Sequence, residues 1–86
     1  MKVKIEDLSN IGKAALTKAG ITMDQTHGVV LTSYYLTNEG GDNFWIVIIS
    51  YREVNSSVDK IARVKINADT GEVVGFWNEP GLIRVS

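Results

Sequence analysis

The stretch of this sequence that offers the most chemistry is NADTGEVVGFW, residues 67–77, where a polar group stands between two apolar runs. Its oxygen-bearing side chains belong to Asn67, Asp69, Thr70 and Glu72. Such a set could ligate calcium, supply two carboxylates for acid–base catalysis, or close a tight turn between strands. Which of these applies decides most of what the sequence indicates about function.

A hairpin turn explains this stretch best. A calcium loop needs oxygen ligands at several alternating positions and a closing bidentate carboxylate, whereas this stretch offers only Asn67, Asp69 and Glu72. Two carboxylates at a hairpin tip also lack the burial that separates the pKa values of a catalytic pair. A three-residue loop favours glycine at its left-handed position, which Gly71 fits, and Asp69 can accept hydrogen bonds from turn amides. The sequence therefore predicts a loop over residues 69–71.

The composition fits one compact domain spanning residues 1–86, with 44% apolar residues, a formal net charge of −1 and no cysteine. The small charge argues against nucleic acid or an anionic membrane as the partner. The longest apolar run, FWIVII at 44–49, is too short to span a bilayer, so we expect no membrane insertion. The N-terminal MKVKIEDLSN carries charges where a signal peptide is apolar, which predicts no leader and leaves the compartment open.

No catalytic or metal-binding set is evident in the sequence. The absence of cysteine removes thiolate ligands and a cysteine nucleophile. His27 is the only histidine, so it has no second imidazole or thiolate as a co-ligand. The serines likewise have only His27 as a base. We therefore expect a protein that is not an enzyme and that needs no cofactor and no metal.

The apolar pattern predicts an α+β fold. Leu8, Ile11, Ala15 and Ala19 lie at helical spacing, which indicates a helix over residues 6–19, capped by Asp7 or Ser9 and ended by Gly20. Strand-like segments rich in β-branched and aromatic residues follow at 26–37, 43–54, 60–68 and 72–77. Their separators are short, so neighbouring strands should pair as hairpins. The fold class is thus one N-terminal helix packed on a four-stranded antiparallel meander sheet, with residues 82–86 as a short C-terminal strand or a tail.

The motif INADTGEVVGFW, preceded by FWIVIISY and by a helix with small apolar residues, resembles the PepSY domain family. The likeness covers the chain from the helix to Trp77, and its specific part is residues 64–74. It implies one helix against an antiparallel sheet, as found in propeptides of thermolysin-like metallopeptidases and in membrane or secreted regulatory proteins. It also implies a peptidase-inhibiting or peptide-binding role. Asn67 stands where the family often has aspartate, and members are often exported.

Loop lengths predict which side chains share a face of the sheet. The loop 69–71 places Arg63 opposite Trp77, Val64 opposite Phe76, Lys65 opposite Gly75 and Ile66 opposite Val74. The side chains that would meet the helix are those of Ala62, Val64, Ile66, Val74 and Phe76. A loop centred at Ser56 adds Phe44, Ile46 and Ile48 to them, and places Trp45, Val47, Ile49 and Tyr51 on the outer face. Shifting that loop by one residue exchanges the two sets, because the side-chain period of a strand is two.

The strand at 43–54 carries large apolar residues on both faces, which predicts a cover for the face turned away from the helix. The C-terminal residues, a second copy of the chain or a partner protein could cover it. The alternative is that the aromatic residues of this strand belong to the core and need no such cover. We expect a non-enzymatic protein- or peptide-binding module whose partner is a peptidase or another protein. The alternative is a structural domain that forms a homodimer through the outer sheet face. The predicted partner-binding residues are Trp45, Ile49, Tyr51, Arg63, Lys65 and Trp77.

Overall fold

The computed structural model describes residues 2–24, 26 and 28–79. Its elements are α1 (Ile5–Lys18), β1 (Val30–Glu39), β2 (Asp42–Arg52), β3 (Asp59–Asn67) and β4 (Val73–Glu79). The strands form one antiparallel sheet in the order β1-β2-β3-β4, and α1 packs on one face of it. This confirms the predicted α+β fold. His27 and residues 82–86, for which a C-terminal strand was an expectation, lie outside the described residues.

Helix α1 is closed at both ends by local hydrogen bonds. At its start, the backbone N–H of Lys4 donates to Oδ2 of Asp7 over 3.1 Å, so Asp7 acts from within the first turn rather than as the cap itself. At its end, Gly20 adopts a φ of 84°, a left-handed conformation that glycine reaches without strain. The N–H of Ile21 then donates to the carbonyl of Leu16 over 3.1 Å. The predicted role of Gly20 is confirmed.

The centre of α1 lies close to β2 because residue 12 is glycine. A methyl group placed on Gly12 would lie 3.3 Å from Cδ1 and 3.4 Å from Cγ2 of Ile49. Leu8 and Leu16, one turn to either side, are completely buried in the same core. Glycine inside a helix costs about 1 kcal/mol of helix propensity, and here that cost allows the close approach of helix and sheet.

The N-terminal segment before α1 is attached to the sheet by hydrogen bonds. The N–H of Val3 donates to the carbonyl of Ala68 over 3.0 Å. The indole N–H of Trp45 donates to the carbonyl of Val3 over 3.1 Å in a buried site. Val3 itself is buried. The side chain of Trp45 therefore joins the start of the helix to the central strand.

Strands β2 and β3 pair in a register that turns the odd-numbered residues of β2 toward α1. Val47 lies opposite Val64 and Ile49 opposite Ala62. The residues between the two strands are 53–58, so the centre of the loop falls between Asn55 and Ser56, not on Ser56. This half-residue difference shifts the pairing of β2 with β3 by one residue. Each side chain of β2 then points to the face opposite to the predicted one.

The predicted orientation of β2 is therefore wrong. The residues expected on the outer face, Trp45, Val47, Ile49 and Tyr51, all lie in the core beneath α1. The residues expected in the core, Phe44, Ile46 and Ile48, point away from α1. The loop places Asn55 at a φ of 66°, a left-handed conformation that asparagine tolerates better than most residues.

The turn between β3 and β4 confirms the hairpin reading of the opening motif. Gly71 adopts a φ of 81°, and its N–H donates to the carbonyl of Asn67 over 2.8 Å. The side-chain oxygen of Asn67 accepts hydrogen bonds from the N–H groups of Asp69 (2.8 Å) and Thr70 (3.0 Å). The side chain that accepts from these turn amides is thus Asn67, where the sequence predicted Asp69.

The register of β3 and β4 is as predicted over most of its length. Arg63 pairs with Trp77, Val64 with Phe76 and Lys65 with Gly75. Beside the turn, Ile66 pairs with Val73 instead of Val74, because the turn is one residue longer than the predicted loop 69–71, and a bulge at Val74 then restores the predicted pairing from Lys65 onward. Val74 is 48% exposed, so the prediction that it meets the helix is wrong.

The contact of Gly12 with Ile49 predicts a large effect of a bulky residue. Gly12→Leu should lower the free energy of unfolding by about 1–3 kcal/mol, because the added side chain forces α1 and β2 apart. Urea denaturation would measure this loss. Asn10→Leu, at an exposed position of the same helix, is the matched control and should change stability little. Equal stability of the two variants would contradict the close packing of α1 on β2.

Candidate functional site

We call the face of the sheet turned away from α1 the outer face. Cross-strand pairing brings together Tyr35 of β1, Ile46 of β2, Lys65 of β3 and Gly75 of β4 in one row across the sheet. The neighbouring rows add Phe44, Ile48, Arg63 and Trp77. Helix α1 packs on part of the other face, and the outer face is open enough that Tyr35 is 53% exposed and Trp77 is 46% exposed. The result is a flat apolar surface that contains two cations.

Lys65 crosses the outer face diagonally. Its ammonium nitrogen lies 4.6 Å from the ring centroid of Phe44 and 2.5 Å from Oε1 of Glu39 on β1. A lysine stem laid along apolar side chains shields them while its charged head stays at the solvent boundary. Ile46, which pairs with Lys65, is only 8% exposed although it faces away from the core. Lys65 therefore belongs to the apolar surface as well as to an ion pair.

Trp77 lies against the sheet instead of projecting from it. A methyl group placed on Gly75 would be 2.6 Å from Cη2 and 2.8 Å from Cζ3 of the indole, so only glycine leaves room for the ring. The guanidinium of Arg63 lies 5.1 Å from the Trp77 ring centroid, within the range of a cation–π contact. One face of the ring is thus packed, and the remaining surface is available for a contact.

The structure divides the six predicted partner-binding residues into two groups. Arg63, Lys65 and Trp77 lie on the outer face, where the sequence placed them. Trp45, Ile49 and Tyr51 are buried in the core and cannot form part of an exposed surface. Their places on the outer face are taken by Phe44, Ile46 and Ile48, with Tyr35 beside them. No pattern in the sequence selects between the two faces, because both alternating sets of β2 are apolar.

Tyr51 is a buried polar residue with a defined partner. Its side chain is completely buried, and its hydroxyl donates a hydrogen bond to the side-chain oxygen of Asn78 on β4. Burial raises the pKa of Tyr51, and the carboxylate of Glu53 raises it further, against opposing effects of Lys60 and Asn78. The hydrogen bond to Glu53, 2.8 Å long, raises the pKa of Lys60. These side-chain hydrogen bonds join β2 to β4 through Tyr51 and Asn78, and β3 to Glu53 through Lys60.

A second surface is the groove between α1 and β4, which we call the α1–β4 groove. It has a volume of about 630 Å³ and is lined mainly by Ile11, Ala14, Ala15 and Ala19 of the helix and by Val73 and Phe76 of the strand. The alanines are too short to fill the space between helix and strand. Lys18 and Glu72 supply one cation and one anion to the lining. The groove is thus mostly apolar.

The groove runs beside an open edge of the sheet. β4 is the last strand in the sheet order, and within the described residues no strand pairs with its other side. Residues 73–78 of this strand are all uncharged, so the edge lacks the lysines that commonly discourage pairing with another chain. A concave apolar surface therefore adjoins a row of backbone groups that can still pair.

The described part of the chain contains no group of three or more His, Cys, Asp or Glu residues that could hold a metal ion. No helix in residues 2–24, 26 and 28–79 is long and apolar enough to cross a membrane. The apolar surfaces that these residues offer include the outer face and the α1–β4 groove, which differ in shape.

No family model matches this sequence, and no curated protein or solved structure was found to be similar to it. The resemblance to the PepSY family, carried by residues 64–74, therefore stays a prediction.

Burial of Tyr51 predicts a loss of stability at alkaline pH. Its pKa in the folded protein is above the ordinary value of 10.0, so the folded state keeps a proton that the unfolded state releases. The contribution of Tyr51 to stability is complete below about pH 10 and declines as the pH rises through the folded-state pKa. Lys60, whose pKa is also raised, contributes with the same sign. We expect the free energy of unfolding, measured in urea, to fall above about pH 10.

Tyr51→Phe should weaken this decline, because it removes the titrating hydroxyl. Tyr35→Phe is the matched control on the exposed outer face and should leave the pH dependence as in the wild type. An undiminished alkaline decline in Tyr51→Phe would show that the buried hydroxyl is not its source.

Proposed function

We propose that this protein is a non-enzymatic peptide-binding module that takes up an extended segment of another protein at the α1–β4 groove. The observation that carries the proposal is the position of the groove, a mostly apolar space of about 630 Å³ beside an uncharged edge strand. Volumes of about 300–1,000 Å³ are typical of binding pockets. No catalytic group is needed for this activity.

Strand addition would use the α1–β4 groove and the open edge of β4 together. An extended segment laid along β4 would satisfy the backbone N–H and C=O groups on its free side. Alternate side chains of that segment would point toward the helix side of the sheet, where the alanines of α1 leave space. Backbone hydrogen bonds would supply affinity for any extended chain, and the groove would select apolar side chains at alternate positions.

The resemblance to the PepSY family supports a peptidase as the partner protein. Inhibition or regulation of a thermolysin-like metallopeptidase is the form of this activity that the resemblance implies. The extended segment would then belong to the peptidase.

Self-association is a second candidate function, and it uses the outer face instead of the groove. The observation that favours it is the exposure of Tyr35 and Trp77 on a flat apolar surface. Because the two surfaces lie on different sides of the molecule, self-association does not compete with peptide binding.

Peptide binding is tested with the full chain and synthetic peptides of the length of β4, 7 residues. The peptides carry valine or leucine at alternate positions, and binding is followed by fluorescence anisotropy. Two further peptides are methylated on one or the other alternate set of backbone amides. We expect one methylated set to abolish binding and the other to preserve it, because alternate amides of a strand point to opposite sides.

Ala14→Phe should weaken peptide binding at least about tenfold, because the ring fills the groove and displaces apolar side chains of the peptide. Asn10→Phe, on an exposed position of α1 outside the groove, is the matched control. Equal affinity for both methylated peptides would contradict strand addition. Binding seen only after the joint substitution Ile83→Glu and Val85→Glu would show that residues of the chain itself compete for the groove, which contradicts a groove open to peptides.

The peptidase form of the proposal is tested separately. The full chain should slow the hydrolysis of a reporter peptide by a thermolysin-like metallopeptidase, and Ala14→Phe should restore the rate. An unchanged rate with the wild-type chain would remove the peptidase as partner while the peptide-binding result stands on its own.

A further inference from the structure

We propose that the outer face binds a second copy of this chain, and that the two copies stack face to face with β1 of one over β4 of the other. In this arrangement β2 of each copy lies over β3 of the other, about a two-fold axis parallel to the strands. The inference rests on the self-association proposed above and adds its geometry and its contacts.

The shape of the outer face suits another flat sheet. Trp77 lies against Gly75, and Lys65 lies across Phe44, so the large side chains follow the surface. Two sheets of this kind pack with their strands about 30° apart and a shared apolar layer between them. The product would have four layers, with a helix outside each sheet. A second copy provides such a flat apolar sheet without any change of shape.

The size of the face also fits a dimer. Four strands of about nine residues cover a projected area of roughly 600 Å², and this figure leaves out the area that protruding side chains add. A standard stable interface buries about 800 Å² on each partner. The outer face is therefore at the lower end of this range, and we expect a reversible dimer that dissociates in the micromolar range.

The charges select the arrangement of the two copies. Arg63 and Lys65 both lie on β3. Their charged groups lie over other strands, the Lys65 ammonium at Phe44 of β2 and the Arg63 guanidinium over Trp77 of β4. A two-fold axis perpendicular to the strands would stack each of these strands on its own copy and bring like charges closer, which is unfavourable. An axis parallel to the strands places β2 over β3 and β4 over β1, so each cation is moved away from its counterpart in the other copy. Only the second arrangement separates like charges.

The same arrangement pairs the two most exposed aromatic residues of the face. Tyr35 is on the edge strand β1, and Trp77 is on the opposite edge strand β4. With β1 over β4, Tyr35 of one copy approaches the Trp77 ring of the other, and the two-fold axis repeats this contact. Tyrosine and tryptophan at such positions often supply much of the binding energy of an interface.

The dimer is tested first by sedimentation equilibrium over roughly 1–500 µM, the range that an interface of this size implies. The wild-type chain should associate reversibly, and Tyr35→Glu should raise the dissociation constant at least about tenfold. Asn10→Glu is the control, because it introduces the same charge at an exposed position of α1, on the other side of the sheet. Circular dichroism of both variants checks that they remain folded.

The arrangement is tested by thiol crosslinking with a bismaleimide whose spacer is about 10 Å long, the distance between stacked sheets, and the introduced thiols are unambiguous because the natural chain has no cysteine. Tyr35→Cys and Trp77→Cys chains, mixed and treated with this reagent, should give a mixed dimer detected by mass. Neither variant alone should crosslink efficiently. Self-crosslinking of Tyr35→Cys without the mixed product would overturn the β1-over-β4 arrangement.

A chain that stays monomeric over the whole concentration range would overturn self-association itself. A dimer that Tyr35→Glu leaves intact would place the interface elsewhere and would also overturn the proposal. Because these readings concern association and crosslinks, they are independent of the peptide-binding result at the α1–β4 groove.

Discussion

The close packing of α1 on the central strand β2 is the interaction on which the rest of the structure depends. Gly12 brings the helix so near that an added methyl group would lie 3.3 Å from Ile49. Trp45, on the same face of β2, donates its indole N–H to Val3 and so holds the segment that leads into α1. These contacts determine which face of β2 is buried, and every pairing in a meander sheet then determines the faces of the next strand.

The two candidate surfaces follow from the size of the elements. One helix about 10 Å wide covers only part of a four-stranded sheet, which is roughly 19 Å across, and covers it on one face alone. The other face of β2 is apolar too, so Phe44, Ile46 and Ile48 remain on the outer face. On the helix side, the short side chains of Ala14 and Ala15 leave the α1–β4 groove open beside β4. A small domain with one helix therefore keeps apolar surface for other chains.

The sequence predicted most of the fold because its strongest signals are local. Three local signals each specify structure within a few residues. They are the apolar residues at helical spacing that begin at Leu8, the glycine at position 20 and the turn at Gly71. The register of β3 and β4 near Val64 agrees with the prediction because the extra residue of the bulge at Val74 offsets a turn that is one residue longer than the predicted loop 69–71. The bulge at Val74 was not predictable, because nothing in the sequence marks the extra residue.

The outer face of β2 was mispredicted for a physical reason. Both alternating sets of this strand are apolar, so the period of two did not select a face. The choice then depended on the six-residue loop before β3, where moving the centre by half a residue reverses every side chain. Arg63, Lys65 and Trp77 lie on the predicted face because the bulge at Val74 offsets the longer turn between their strands. Phe44 and its neighbours could be assigned only by the packing of Gly12 on Ile49.

Both surfaces depend on the pairing of β2 with β3, which interstrand nuclear Overhauser effects in the isotopically labelled full chain would measure. The structure predicts contacts between the backbones of Val47 and Val64 as directly opposed residues. The alternative pairing would oppose Ile48 to Val64 and place Trp45 on the outer face. Cross-peaks that join Val47 to Val64 would confirm the buried face of β2, and cross-peaks that place Ile48 opposite Val64 would contradict it.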